Sequence, residues 1–213
     1  MRRLSFALWI FGALPAVAGT FTFDTLNRGW IVSDGTNNGV ESGNSYYAGI
    51  DASFHDGKEL RDWFTFDVST LTGTVQSATL LLGTGTVKEP QGVSSEAYQV
   101  TGIPGSFGYA DLGNGTFYGS RIYTAGDSNS SQMIGLSSDS FTAIGLGSTF
   151  SVGGRITTLT QSAVDEAVFA SISGDAASVQ LIVVTADVTG TPEPATFLLG
   201  LTGVAAVLLR RRR

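Results

Sequence analysis

Asp62-Trp-Phe-Thr-Phe-Asp-Val68 alternates without a break: Phe64, Phe66 and Val68 fall on one side, and Trp63, Thr65 and Asp67 on the other. Successive side chains of a strand point to opposite faces, so this period of two predicts a half-buried β-strand rather than a helix. Phe64, Phe66 and Val68 are the expected core face. Trp63 falls on the opposite, expected-solvent face, which makes it the best candidate for an exposed ring that could stack on a sugar.

The same reading extends outward. Strands are predicted at residues 20–24, 29–32, 46–50, 74–82, 96–101, 116–123, 132–136, 149–152, 166–172 and 178–186, separated by Gly-, Ser-, Asn- and Asp-rich turns. Only residues 138–144 and 160–164 could form a turn or two of helix. About ten short strands with so little helix predict an all-β, antiparallel β-sandwich. The run 179–184 is apolar at almost every position, which implies burial on both faces or a central place in its sheet. Asp67 and Ser69 are expected to hydrogen-bond the turn after their strand.

The stretch from Arg61 to Leu82 carries a resemblance. A Phe66-Asp-Val-Ser69 strand end leads through Gly73 to Val75-Gln-Ser-Ala-Thr-Leu-Leu-Leu82. It resembles the paired-strand segment of jelly-roll modules in exported bacterial proteins, some similar to carbohydrate-binding modules. Residues 149–156, 165–169 and 179–184 are similar to the closing strands of those modules. The resemblance implies a jelly roll and leaves the activity open, because fold does not dictate function.

Both ends of the chain read as targeting segments. Met1-Arg-Arg3, an apolar stretch at 4–14 and Ala16-Val-Ala18 form a basic region, a hydrophobic region and an A-x-A site, so a signal peptide spanning 1–18 is expected to be removed by signal peptidase after Ala18. A β-sandwich domain is expected over 19–188 and a tail over 189–213. In the tail, Pro192, Glu193 and Pro194 precede an uncharged stretch at 195–209 and then Arg210, Arg211, Arg212 and Arg213. The two prolines keep the motif extended and accessible. The 15 uncharged residues make a helix of about 22 Å, short of the roughly 30 Å hydrocarbon core, so a single transmembrane helix would need snorkelling arginines or a thinned bilayer. The arginines act as a stop-transfer cluster held in the cytoplasm.

This order of motif, apolar segment and arginines resembles the PEP-CTERM family of exported bacterial proteins. In that family an exosortase, a membrane-embedded cysteine-type transpeptidase or protease, reads the tail and cuts near the Pro-Glu-Pro motif. The resemblance implies that Pro192, Glu193 and Pro194 are a sorting motif. It also implies a transient inner-membrane anchor followed by release or transfer to the cell surface or an exopolysaccharide matrix.

Between the two signals, residues 19–191 hold 17 acids against 6 bases, a formal charge of −11. With no basic stripe to displace counterions from phosphates, nucleic acid is excluded as a partner. There is no cysteine, so stability must come from the core.

Catalytic chemistry finds little to work with. The single histidine, His55, lies in a polar loop, and no cysteine nucleophile exists. Asp165-Glu166 and the pair Asp62 with Asp67 are nominal glycosidase carboxylates, but sequence neighbours on a strand point to opposite faces. Asp51, Asp56 and Glu59 put three carboxylates around Gly57, an oxygen-rich set suited to calcium and equally to a solvated turn. Trp30, Tyr46, Tyr47, Tyr109, Tyr118 and Tyr123 join Trp63 as aromatic residues that serve either a core or a glycan platform. Gly83-Thr-Gly85 lacks the spacing of a phosphate loop, and Asn114-Gly-Thr116 and Asn129-Ser-Ser131 fit the N-glycan acceptor pattern. The expectation is a non-enzymatic exported surface or matrix protein, with a glycan-binding module and a polysaccharide-active enzyme as the alternatives.

Overall fold

The two strands expected at 20–24 and 29–32 form one, β1 (Ala18–Val32), bent in the middle. It is followed by β2 (Ser45–Asp51), β3 (Lys58–Asp67), β4 (Thr74–Gly83), β5 (Glu96–Gly102), β6 (Phe117–Tyr123), β7 (Ser131–Leu136), α1 (Ser138–Leu146), β8 (Thr149–Ile156), β9 (Glu166–Ser173) and β10 (Val179–Ala186). The computed structural model describes residues 18–36, 45–53, 55–90, 92–160, 164–173 and 179–186.

The bend in β1 joins two halves of the sheet. Residues 18–24 pair with β10, and the strand then pairs with β3 from Thr25 to Val32. The register shifts between Thr25 and Asn27 and leaves Leu26 as an extra, exposed residue. A bulge of this kind kinks a strand and re-aims its partners.

Every strand pair is antiparallel, in the order β6-β5-β8-β3-β1-β10-β4-β7. Strand β3 also forks, because its residues 62–67 pair with β8 while residues 58–60 pair with β2, which in turn carries β9. The two ends of the order nearly meet. Ser137, just past β7, donates its backbone N–H to the Tyr118 carbonyl of β6 at 2.6 Å, so the sheet is close to shutting on itself. Gly119 makes this approach possible, since a Cβ there would lie 2.6 Å from the Gly135 carbonyl oxygen.

One apolar core fills the interior. Phe64, Phe66 and Val68 meet Ala78, Leu80 and Leu82 there, as the alternation predicts. Strands β3 and β4 are nevertheless not paired to each other. Strand β3 bonds β1, β2 and β8, whereas β4 bonds β10 and β7, so the resemblance to a paired-strand unit is corrected: the connection after Val68 crosses the core from one half to the other. Asp67 Oδ1 accepts the Ser69 N–H at 3.0 Å at the start of that crossing. At its end Gly73 has φ of +84°, and a Cβ there would press on the Ala186 carbonyl oxygen.

Strand β10 is central in its half and alternates buried with half-buried residues, which settles its apolar run as a central position. Helix α1 runs two residues past the expected 138–144 and lays Phe141 and Ile144 on the core. Thr160 and Val164 are not helical, and 161–163 lie outside the described residues. Among the described residues no helix is long and apolar enough to cross a membrane. The apolar stretches at 4–14 and 195–209 lie outside those residues.

Candidate functional site

The sorting motif Pro192, Glu193 and Pro194, the arginines Arg210 to Arg213 and Ala16 all fall outside the described residues. Ala18 is the first residue of β1, and it pairs directly with Ala186, the last residue of β10. The chain therefore enters and leaves the described domain on adjacent strands at a single pole.

Trp63 corrects an expectation. It is only 6 % exposed, because the connection between β5 and β6 folds back over the outer face of β3. The ring packs with Ile31 and Leu112 beneath Ile103, Phe107 and Tyr109, and it meets Phe107 edge-on at 5.3 Å between centroids. Arg61 pins the cover down. Its Nη1 donates to the Leu112 carbonyl at 2.9 Å, its guanidinium lies 4.3 Å from the Tyr109 ring centroid, and its Nε holds Glu59 at 2.7 Å. A short 3-10 turn at Tyr109–Asp111 is closed by Asp111 Oδ2, which accepts the Gly108 N–H. Trp30, Tyr46, Tyr47, Tyr118 and Tyr123 are buried as well, so these rings belong to the packing and offer no stacking face.

The proposed calcium ligands do not converge. Glu59 is committed to Arg61, while Asp51 is buried with Oδ1 accepting the Ser53 N–H at 3.0 Å. Asp56 points outward, with its side chain 91 % exposed and φ of +54°. The three residues instead shape the β2–β3 turn, which the Gly57 N–H closes on the Asp51 carbonyl. Among the described residues no group of three His, Cys, Asp or Glu is placed to hold a metal ion.

The nominal catalytic carboxylates are separated too. Asp67 is exposed, and its carboxyl is held low by the hydrogen bonds from Ser69. Asp62 is sealed in the interior, where it accepts the Tyr98 hydroxyl at 2.7 Å. Burial pushes its carboxyl up to about 8, although the Tyr98 bond pulls the other way. Asp165 binds Lys88 at 2.7 Å, and that bond holds its carboxyl low. Its neighbour Glu166 points into the protein. His55 sits in the β2–β3 turn, where its carbonyl accepts the Lys58 N–H.

Sequence reasoning missed one grouping: Glu96 and Glu166, both fully buried, which lie against each other at the starts of β5 and β9. The available signal was the alternation of β5, where Glu96 shares a face with Tyr98 and Val100, both buried in the core. Its acidic side chain argued for solvent and concealed that placement. No protein-family model matches this chain, and no curated protein matches it.

Proposed function

We propose that this chain is a non-enzymatic exported protein, a jelly-roll β-sandwich delivered by its tail to the cell surface or an extracellular polysaccharide matrix after an exosortase processes it near Pro192-Glu193-Pro194. The observation that carries the proposal is the ordered set in the sequence: an extended motif, an apolar segment and then Arg210 to Arg213. The pairing of Ala18 with Ala186 supports it. A domain whose two ends emerge side by side can hang from a membrane by either end with the rest of its surface turned away from the lipid. The formal charge of −11 on residues 19–191 suits a soluble life outside the cell. The glycan-binding alternative loses Trp63, its chosen platform, to the interior. The enzyme alternative loses its nominal carboxylates as pairs, since Asp62 is sealed inside while Asp67 is exposed, and Asp165 is bound to Lys88 while Glu166 points into the protein.

The test is the intact mass of the protein from the native host's medium and envelope, compared with a strain lacking the processing enzyme. The expected product ends near residues 192–195 and disappears in that strain. A full tail in both strains would replace sorting with plain membrane anchorage.

A further inference from the structure

Past the fork in β3, β8-β5-β6 and β2-β9 run on as separate branches, and β5 forms no ladder with β9. Glu96, the first residue of β5, and Glu166, the first of β9, stand on opposite sides of that gap, and neither is exposed to solvent. The chain leaving β8 supplies their donors. Thr158 Oγ1 donates to Glu96 Oε2 at 2.6 Å, Thr160 N–H lies 3.0 Å from both oxygens of Glu166, and Thr160 Oγ1 donates to Glu166 Oε2 at 2.8 Å. Glu96 Oε1 is buried with no donor from any of these groups.

Among the described residues no cation lies within ion-pair distance of the pair. Lys88 is engaged by Asp165, and Arg121 by Asp127 at 3.2 Å. Glu89, another charged group acting on Glu96, is itself an acid, and Tyr123 stands opposite Glu96 on β6. Two carboxylates in contact and out of water cannot both ionise without a large cost.

We propose that Glu96 and Glu166 share one proton, which fills the missing donor position at Glu96 Oε1 and forms a catch joining the β5 and β9 branches. The proton leaves the pair one negative charge, which the Thr160 N–H and hydroxyl satisfy. Burial first, and the neighbouring Glu166 charge second among the raising influences, push the Glu96 carboxyl up to about 7 while the Thr158 bond opposes them. The sign follows from linkage. A folded-state value raised above the unfolded one adds stability in full below about 4.5, and that stability is lost as pH rises through about 7. The catch is closed in mild acid, and it loosens as the proton leaves and the two charges repel.

Hydrogen exchange on the full-length chain in mild detergent, corrected for intrinsic rates, tests this by comparing peptides covering 96–100 and 166–170 with one covering 78–82 on β4, which carries no titratable group and reports any change in global stability. From pH 5.5 to 8 the two branch peptides should open about tenfold more often in the wild type, since linkage allows up to tenfold per pH unit. Glu96→Gln, whose amide donates at every pH, should reduce that dependence to the one the 78–82 peptide shows. Equal pH dependence in wild type and variant would overturn the catch. Carbon-13 titration of the wild-type glutamate carboxyls keeps the proposal testable if the variant fails to fold. A Glu96 step near neutrality is expected, and a Glu96 step near its ordinary value of 4.5 would refute it. Slower branch exchange on adding calcium chloride in place of EDTA, absent in Glu96→Gln, would make the pair a cation site and would also refute the shared proton.

Discussion

The two halves of the sheet use the same period-two code to opposite ends. In the half containing β4, β10 and β7, buried and wetter positions alternate along each strand, so one face meets the core and the other meets water. In the half containing β3, all seven residues of β2 are buried and β3 has a run of five buried residues from Leu60 to Phe64. The difference is a lid. The segment after β5 covers the outer face of β3 with Ile103, Phe107, Tyr109 and Leu112, and among the described residues no comparable cover lies over β4 or β10. The buried charges follow the same division: Arg28, Asp51, Arg61, Asp62, Glu96 and Glu166 all belong to the β3 half. Covering both faces of a sheet traps polar groups that a one-faced sheet would leave wet, so they must find partners or change charge.

The largest effect tests the lid. Trp63→Ala and Phe64→Ala, neighbours on opposite faces, should each cost about 3–5 kcal/mol, read as a shift in urea unfolding midpoint. A loss at Phe64 alone would mean that the outer face of β3 is wet and that the two halves are alike. Next comes a matched pair of glycines. Gly154→Ala on β8 would place a methyl 1.8 Å from the Tyr98 hydroxyl oxygen and 2.5 Å from Asp62 Oδ1, and should cost about 1–3 kcal/mol or more. Gly135→Ala on β7 meets nothing within 4 Å and should change stability by no more than about 0.5 kcal/mol.

A smaller effect sets the buried carboxyl of the β3 half against carboxyls with access to water, by pH. The raised carboxyl of Asp62 adds stability in full below about 4, and that stability is lost as pH climbs to about 8. Asp67 and Asp165 have lowered values and act in the reverse sense, losing their contribution as pH falls below the ordinary carboxylate range near 4. Stability should therefore peak in mild acid. Asp62→Asn should flatten the decline toward pH 8, by up to about 1.4 kcal/mol per pH unit, in denaturation curves taken across that range. An undiminished decline would locate the titrating group elsewhere. The smallest effect is expected at Met133 on β7, 59 % exposed, where Met133→Ala should stay within about 0.5 kcal/mol. A larger loss there would show a covered face on the β4 half as well.

Most strands were legible to within a residue or two at each end, because alternation and turn chemistry are local. The interval at Thr25 to Arg28 read as a break between two strands, since Asn27 and Arg28 are polar. Arg28 is in fact buried, with its guanidinium 5.4 Å from the Tyr46 ring centroid, and the strand continues through a bulge. The candidate site was least legible where coverage decided it. Alternation assigns Trp63 to the face opposite Phe64, and that assignment holds. What occupies the space beyond that face depends on a Gly- and Pro-containing segment some forty residues away, which by itself reads as a loop. Asp62, Glu96 and Glu166 were hidden for a related reason: their side-chain type predicts solvent, whereas their positions on core-facing strands place them inside.

The sequence by itself determined where the strands run, which side chains share a face, the absence of disulfides and the strongly acidic balance of residues 19–191. These are set by period, residue type and composition along the chain. Only the tertiary structure decided that β3 pairs with β1, β2 and β8 rather than with β4, that its second face is dry, and that two glutamates meet across a fork. Each of those outcomes depends on contacts between residues far apart in sequence, such as Asp62 with Tyr98 and Thr65 with Ser151. A local pattern constrains which way such residues point and leaves open which of them meet.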